Sequence, residues 1–249
     1  MTERKKRKKP SIAGRLGSST HLSKADVVMA GVIKAVGPCK IAANLEGTPF
    51  EALASAIAHQ QLHGAAARTI LKRFVDQVGG GKFPTPQQVV EAPDAIMRGV
   101  GFSSSKTAAL KDLAAKTNEG IVPGREELMS LDDLAIIERL TQVRGIGRWT
   151  VEMLLIFNLG RHDILPVDDF GVREGFRRAY GLRKMPSPKA LAIYGERWSP
   201  HRSAAAWYLW RAVELHRAGN LPAPCQRTRL PRIARFRRAI KRLKKKVKR

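Results

Sequence analysis

Two glycines one residue apart, Gly145 and Gly147, interrupt a helical apolar pattern in Leu140–Thr150, and Pro166-Val167-Asp168-Asp169 follows after one further apolar helix. Glycine has no Cβ, so the backbone can reverse sharply there and press its N–H groups against a ligand. The helix starting near Arg148 adds its first-turn amides and the positive end of its dipole, which makes an anion the natural guest. A plain interhelical turn has the same wording. The carboxylates downstream shift the balance towards the ligand-gripping turn.

Nowhere does the chain show sustained period-two alternation, so the spacing predicts an all-α body. Ser23 is placed to cap a helix carrying Val27, Val28, Ile33 and Val36, which ends at Gly37-Pro38. Pro49 and Phe50 open a long helix with Leu53, Ile57, Ala58 and Leu62 on one face, and a second helix carries Ile70, Leu71 and Phe74 as far as Gly79. Short helices follow at 86–91 and after Pro93, then a longer one from Ser104 through Leu113. Ser130 with Asp133 gives a capping-box-like start to the helix that enters the glycine turn. Helices at 149–159, 170–180, 188–197 and 201–218 complete the body.

The formal net charge is +25, and its distribution matters more than its size: six Lys/Arg fall in residues 4–9 and thirteen, with no acid, in 227–249. Such a chain binds polyanions by counterion release, with affinity falling steeply in salt. Residues 1–19, basic and then Ser/Gly-rich, read as a disordered arm. The tail 227–249 places Leu230, Ile233, Phe236, Ile240, Leu243 and Val247 at helical intervals among cations. That stripe suits docking on the body, lying along DNA or meeting an anionic membrane, and the DNA-oriented arm fits the rest best. Cys39 and Cys225 stand far apart without a Cys-x-x-Cys pair, so neither a zinc site nor a disulfide framework is expected. No apolar run is long enough to span a membrane and the charged start lacks a signal peptide's apolar stretch. The expectation is an intracellular protein, cytoplasmic or nucleoid-associated.

Segment 140–150 resembles the helix-hairpin-helix of the DNA glycosylase superfamily, in which the hairpin precedes a Gly/Pro-rich loop and an Asp. The closer likeness is to the alkylation-repair branch, the bacterial 3-methyladenine DNA glycosylase II group, whose hairpin reads Gly-Ile-Gly-x-Trp-Thr and whose loop carries Pro-x-Asp or Asp-Asp. Gly145 to Thr150 fits that wording, with Trp149 and Asp169 at the expected separation. Ala56–Ala67 looks like the family's Gln-Gln segment and small-residue helix, and Gly101–Lys106 like its Gly-x-Ser-x-x-Lys turn. The likeness covers roughly residues 23–220.

The resemblance implies two helical subdomains flanking a cleft: 20–48 with 140–226, discontinuous and carrying the hairpin and the acid, and 49–139, without the N-terminal β-sheet extension of some relatives. It implies a monofunctional DNA glycosylase that removes alkylated purines such as 3-methyladenine and 7-methylguanine in base excision repair, acting as a monomer on double-stranded DNA. Asp169 would be the catalytic carboxylate, also suited to cap the helix at Phe170, and Trp149, Met153, His201 and Asp168 would line the base pocket. Trp149 takes the place of the Schiff-base Lys of strand-cleaving relatives, while Met153 and His201 replace expected aromatic walls. Gly145, Gly147, Arg148 and Thr150 would grip phosphate, as would Ser104 and Lys106. Gln61, Leu62 and His63 fall where relatives insert a wedge into the base stack; Leu62 suits the core equally, which favours Gln61 or His63. Carbonyls of Thr141, Val143 and Ile146 would hold a structural Na or K ion, with no other cofactor required. The iron–sulfur cluster of the endonuclease III branch needs four clustered cysteines, which this chain does not have. Trp207, Tyr208 and Trp210 read as core packing. The alternative is a non-enzymatic helix-hairpin-helix DNA-binding or architectural protein, against which Asp169 together with Trp149 discriminates.

Overall fold

The computed structural model describes residues 17–62 and 64–224. Among these, thirteen α-helices and one 3-10 turn form the structure, and no strand occurs. The basic segments 4–9 and 227–249, the Leu230–Val247 stripe and His63 lie outside the described residues. The first helix already begins at Ser18, inside the segment read as a disordered arm. No described helix is long and apolar enough to cross a membrane.

Among the described residues, the chain divides into two compact units, one within Met1–Ala43 and Gly160–Arg249 and the other within Asn44–Leu159. The sequence boundaries grouped the hairpin with Asp169, whereas packing groups 140–159 with the second unit, because the helix after the hairpin lies on helices of that unit.

In the first unit, α1 (Ser18–Ala25), α2 (Val27–Val36), α11 (Phe170–Ala179), α12 (Pro188–Gly195), a 3-10 turn (Glu196–Trp198) and α13 (Arg202–Arg217) surround a buried carboxylate. Asp26 Oδ1 caps α2 by accepting from the Val28 and Met29 amides at 3.0 and 3.2 Å. Its Oδ2 accepts from Tyr180 Oη at 2.7 Å and Trp198 Nε1 at 3.1 Å. Four bonds replace the lost water, the condition under which a buried acid is tolerated. Asp26 and not Ser23 is therefore the cap: the extended backbone of Asp26 breaks the helix in which Ser23 is an interior residue. Phe176, Tyr180, Tyr194 and Trp198 pack around this centre, with Phe176 stacked on Tyr180 at 4.0 Å.

The second unit contains α3 (Pro49–His59), α4 (Gly64–Gln77), α5 (Pro86–Glu91), α6 (Asp94–Gly99), α7 (Ser104–Asn118), α8 (Arg125–Ser130), α9 (Asp133–Leu140) and α10 (Arg148–Phe157). Thr85 and Gln88 form a reciprocal capping box at α5. The helix entering the hairpin is capped by Asp132, which accepts from the Ala135 amide at 2.8 Å, and not by Ser130, which ends α8. Phe74, Met97, Leu110, Leu113, Leu128, Ile136, Leu140 and Leu155 are buried. Each such side chain contributes about 1.5–3 kcal/mol of transfer free energy, which fixes α7, α9 and α10 and so the hairpin between them.

Candidate active site

Asp169 sits at the end of a loop that α13 pins. Ser203 Oγ, fully buried, donates to the Arg161 carbonyl at 2.7 Å and accepts from the Ile164 amide at 3.0 Å. The Arg202 guanidinium clamps both oxygens of Asp163 at 2.8 and 2.9 Å, joined by Ser199 Oγ at 2.8 Å. Burial pushes the Asp163 carboxyl upward, but the Arg202 and Ser199 bonds outweigh it and hold the acid below its ordinary range.

Asp169, half-buried, caps α11: its Oδ1 accepts from the Val172 amide at 2.7 Å and from the Trp210 indole N–H at 2.9 Å. Two glycines make room for that second donor. A Cβ at Gly171 would fall 2.8 Å from Trp210 Cδ1, and one at Gly175 would overlap the Leu209 carbonyl of α13. The capping and chemical readings of Asp169 are thus compatible, since capping one oxygen sets the direction of the carboxylate. Asp168 is exposed, and Phe170 beyond Asp169 is 68% exposed. His201, half-buried at the N-cap position of α13, meets the His21 ring edge-on at 5.2 Å. Burial, then His21 and His162, lower its pKa against the opposing pull of Asp163, so the imidazole stays neutral at neutral pH.

In the second unit the hairpin has the backbone its glycines foretold. Gly145 has φ +79°, and a Cβ there would fall 3.2 Å from that of Ala109. Gly147 is the N-cap of α10 and supplies no side-chain cap of its own. The first-turn amides and the positive end of the helix dipole lie there, an arrangement that favours an anion. Arg148 donates through Nε to buried Glu152 at 2.9 Å and remains exposed. Trp149 is 47% exposed, and Met153 is half-buried. Thr150, the third residue of α10, is buried. The Val143 carbonyl accepts the Ile146 amide at 3.0 Å and keeps a second lone pair. Neutral carbonyls of this kind on Thr141, Val143 and Ile146 suit a hard monovalent cation.

Leu62 is 39% exposed and therefore not core, because α3 ends at His59 and the turn carries Leu62 outward. The Lys106 ammonium, expected on phosphate, donates to the Ala58 carbonyl at 2.8 Å, and burial lowers its pKa. Ser104 is exposed at the start of α7, with Ser103 as the cap. Gln61 has φ +57° and is the only non-glycine with positive φ among the described residues.

Three pairings escaped the sequence reading. Trp210, read as packing, donates to Asp169; the Gly171/Gly175 pair four residues apart was the available signal for a close helix crossing. Gln60 donates to the Gly145 carbonyl at 2.9 Å, and Asp112 accepts the Arg144 amide at 2.7 Å while paired with Lys116. No local pattern marks either, since each partner lies more than thirty residues away along the chain.

A family model described as "HhH-GPD superfamily base excision DNA repair protein" matches residues 54–201. The chain is 42% identical to DNA-3-methyladenine glycosylase 1 of Schizosaccharomyces pombe over 204 residues, 79% of this chain and 90% of that protein. It is similar to the solved structure of a 3-methyladenine DNA glycosylase from the same organism in complex with abasic DNA, with TM-score 0.72 over 80% of this chain and 97% of that one, at 42% identity. A DNA-3-methyladenine glycosidase structure from Bacillus halodurans gives TM-score 0.73 at 30% identity, covering 83% of this chain and 93% of that one.

Proposed function

The chain belongs to the HhH-GPD superfamily of base excision DNA repair proteins, and we propose that it is a monofunctional DNA glycosylase hydrolysing the N-glycosidic bond of alkylated purines. The observation that carries this reading is the carboxylate of Asp169, directed by two donors on one oxygen at the start of α11.

As the bond from the sugar C1′ to the base nitrogen breaks, positive charge develops on the sugar, and the electron pair leaves with the base. Asp169 stabilises that charge, orients the water whose oxygen forms the new bond to C1′, and accepts the proton that this water loses. A cationic alkylated purine departs neutral and needs little protonation. The hairpin amides at Gly145 and Gly147, with Arg148, take a phosphate, and a monovalent cation on the Thr141, Val143 and Ile146 carbonyls would offset phosphate charge there. Trp149 offers an indole face to an electron-poor base. Tryptophan forms no Schiff base, so the product is an intact strand with an abasic site.

Base release from methylated DNA by wild type, Asp169→Asn and Asp168→Asn tests this. Asparagine keeps the volume of Asp169 and one accepting oxygen while it removes the charge and replaces the other oxygen with an amide donor. Release should fall at least about 100-fold in Asp169→Asn, the scale of a lost electrostatic stabiliser, with DNA binding retained. Exposed Asp168 should tolerate the change far better. Equal activity of wild type and Asp169→Asn would sink the assignment, as a borohydride-trapped protein–DNA adduct would sink its monofunctional part.

A further inference from the structure

Three segments proposed to meet DNA are tied together at the end of α3. Lys106, from the Ser-rich turn opening α7, donates to the Ala58 carbonyl in the last turn of α3. Gln60, which ends α3, donates its side-chain amide to the carbonyl of Gly145 in the hairpin. The next residue, Gln61, holds a left-handed backbone at φ +57°, uncommon for a residue with a Cβ. Such a conformation persists only where its surroundings over-determine it.

The two bonds differ from ordinary end-capping in what they connect. Ala58 and Gln60 flank His59 at the helix end, yet their partners lie 48 and 85 residues away. The Lys106 side chain is half-buried, and its ammonium is committed to a neutral backbone carbonyl. The site of Lys106 is therefore better suited to holding backbone than to holding DNA. Gln60 donates to the Gly145 carbonyl and Asp112 accepts the adjacent Arg144 amide, so the hairpin is latched to α3 and α7 at successive residues.

We infer that Gln60 and Lys106 are positioning residues that preset the Gln61–Leu62 turn against the hairpin, so that gripping the strand and filling the gap left by an everted nucleotide occur as one rigid step. This rests on the glycosylase reading. Unstacking a base costs free energy, and a filler already in place lowers the cost of the open state without loop ordering on binding. Gln60→Glu keeps the size and removes the donor; Lys106→Met removes the ammonium, and Lys106→Arg restores a cationic donor.

The test is single-turnover release of one alkylated purine from a matched duplex and from a bulge in which it everts without unpairing. Loss of one such bond should slow release from the matched duplex about tenfold while the bulged substrate changes by less than about threefold, with Lys106→Arg near wild type. Equal slowing on both substrates, or none on either, would overturn the inference. Gap filling is also read without catalysis, from 2-aminopurine fluorescence opposite a tetrahydrofuran abasic analogue: the variants should bind the DNA yet lose the wild-type signal. An unchanged signal overturns the proposal. Wild type that gives the signal but releases no base refutes the glycosylase reading alone. Thermal melts establish that each variant is folded, and Gln60→Glu stands as the deciding variant if Lys106→Met does not fold.

Discussion

The indole N–H of Trp210 meets Oδ1 of Asp169 at 2.9 Å, across a helix crossing that Gly171 and Gly175 hold open. The bond joins a residue of α13 to the carboxylate that α11 presents, and it makes the aim of that carboxylate a property of helix packing.

Trp210→Phe removes the donor and keeps an aromatic ring in the crossing. A hydrogen bond to a charged acceptor is worth about 1.5–3 kcal/mol, so the rate of base release should fall about 10- to 100-fold, with DNA affinity little changed. Gly171→Ala should slow the reaction in the same way, because its Cβ would fall 2.8 Å from Trp210 Cδ1. Single-turnover rates with separate binding isotherms check both. A slower rate matched by a smaller folded fraction in thermal melts would assign Trp210 to stability alone.

Acid stability should depend on Glu174 of α11. Its carboxylate accepts from Arg177 at 2.7 Å and Arg178 at 2.6 Å, and these bonds, Arg177 first, outweigh burial to lower its pKa from 4.5 to about 2. The folded value lies below the unfolded one, so the contribution is fully present above about pH 5 and is lost as pH falls from 4.5 towards 2. A shift of this size corresponds to a few kcal/mol at most, of the order of 1.4 kcal/mol per unit. Glu174→Gln should lower stability at pH 7 and flatten the decline between pH 5 and 2 in urea titrations; an unchanged acid limb would refute this.

The hairpin turn, the order of most helices and the Asp169 cap were legible because each depends on neighbours in sequence: glycine at a left-handed position, proline at a first turn, Asp before an apolar run. Helix starts failed where an equally plausible cap lay a few residues off, as with Ser23 against Asp26 and Ser130 against Asp132. Long-range partners were illegible. Lysine in a Ser-rich turn looks the same whether it faces phosphate or the Ala58 carbonyl, and a tryptophan close to other aromatics looks like packing until its N–H is placed on Asp169. The packing of the helix after the hairpin on α3 and α9 was illegible for the same reason.

Removing residues 1–15 and 228–249 takes away most of the positive charge of the sequence. Nonspecific DNA affinity should then fall at low salt, and the slope of log K against log salt should become shallower by about 0.9 for each phosphate that the tails had neutralised. Release of base from pre-bound substrate should persist. Filter-binding or anisotropy titrations from low to moderate salt measure the slope. An unchanged slope would show that the folded units neutralise the phosphates without the tails.

Selectivity among damaged bases should follow the charge state of His201. Its burial, with His21 and His162 beside it, lowers its pKa, so at neutral pH the ring neither repels a cationic base nor protonates a neutral one. Positively charged 3-methyladenine and 7-methylguanine carry their own leaving-group activation and so need little acid catalysis. Hypoxanthine and ethenoadenine lack that activation and should be released more slowly. His201→Gln should leave 7-methylguanine release at neutral pH nearly unchanged. As pH falls through the lowered His201 pKa, wild type should lose rate on the cationic bases through charge repulsion, and His201→Gln should not. Single-turnover rates on the four lesions across pH 5–8 decide the matter. Hypoxanthine released faster than 3-methyladenine, or a rate on neutral lesions that rises on acidification and vanishes in His201→Gln, would make His201 a proton donor instead.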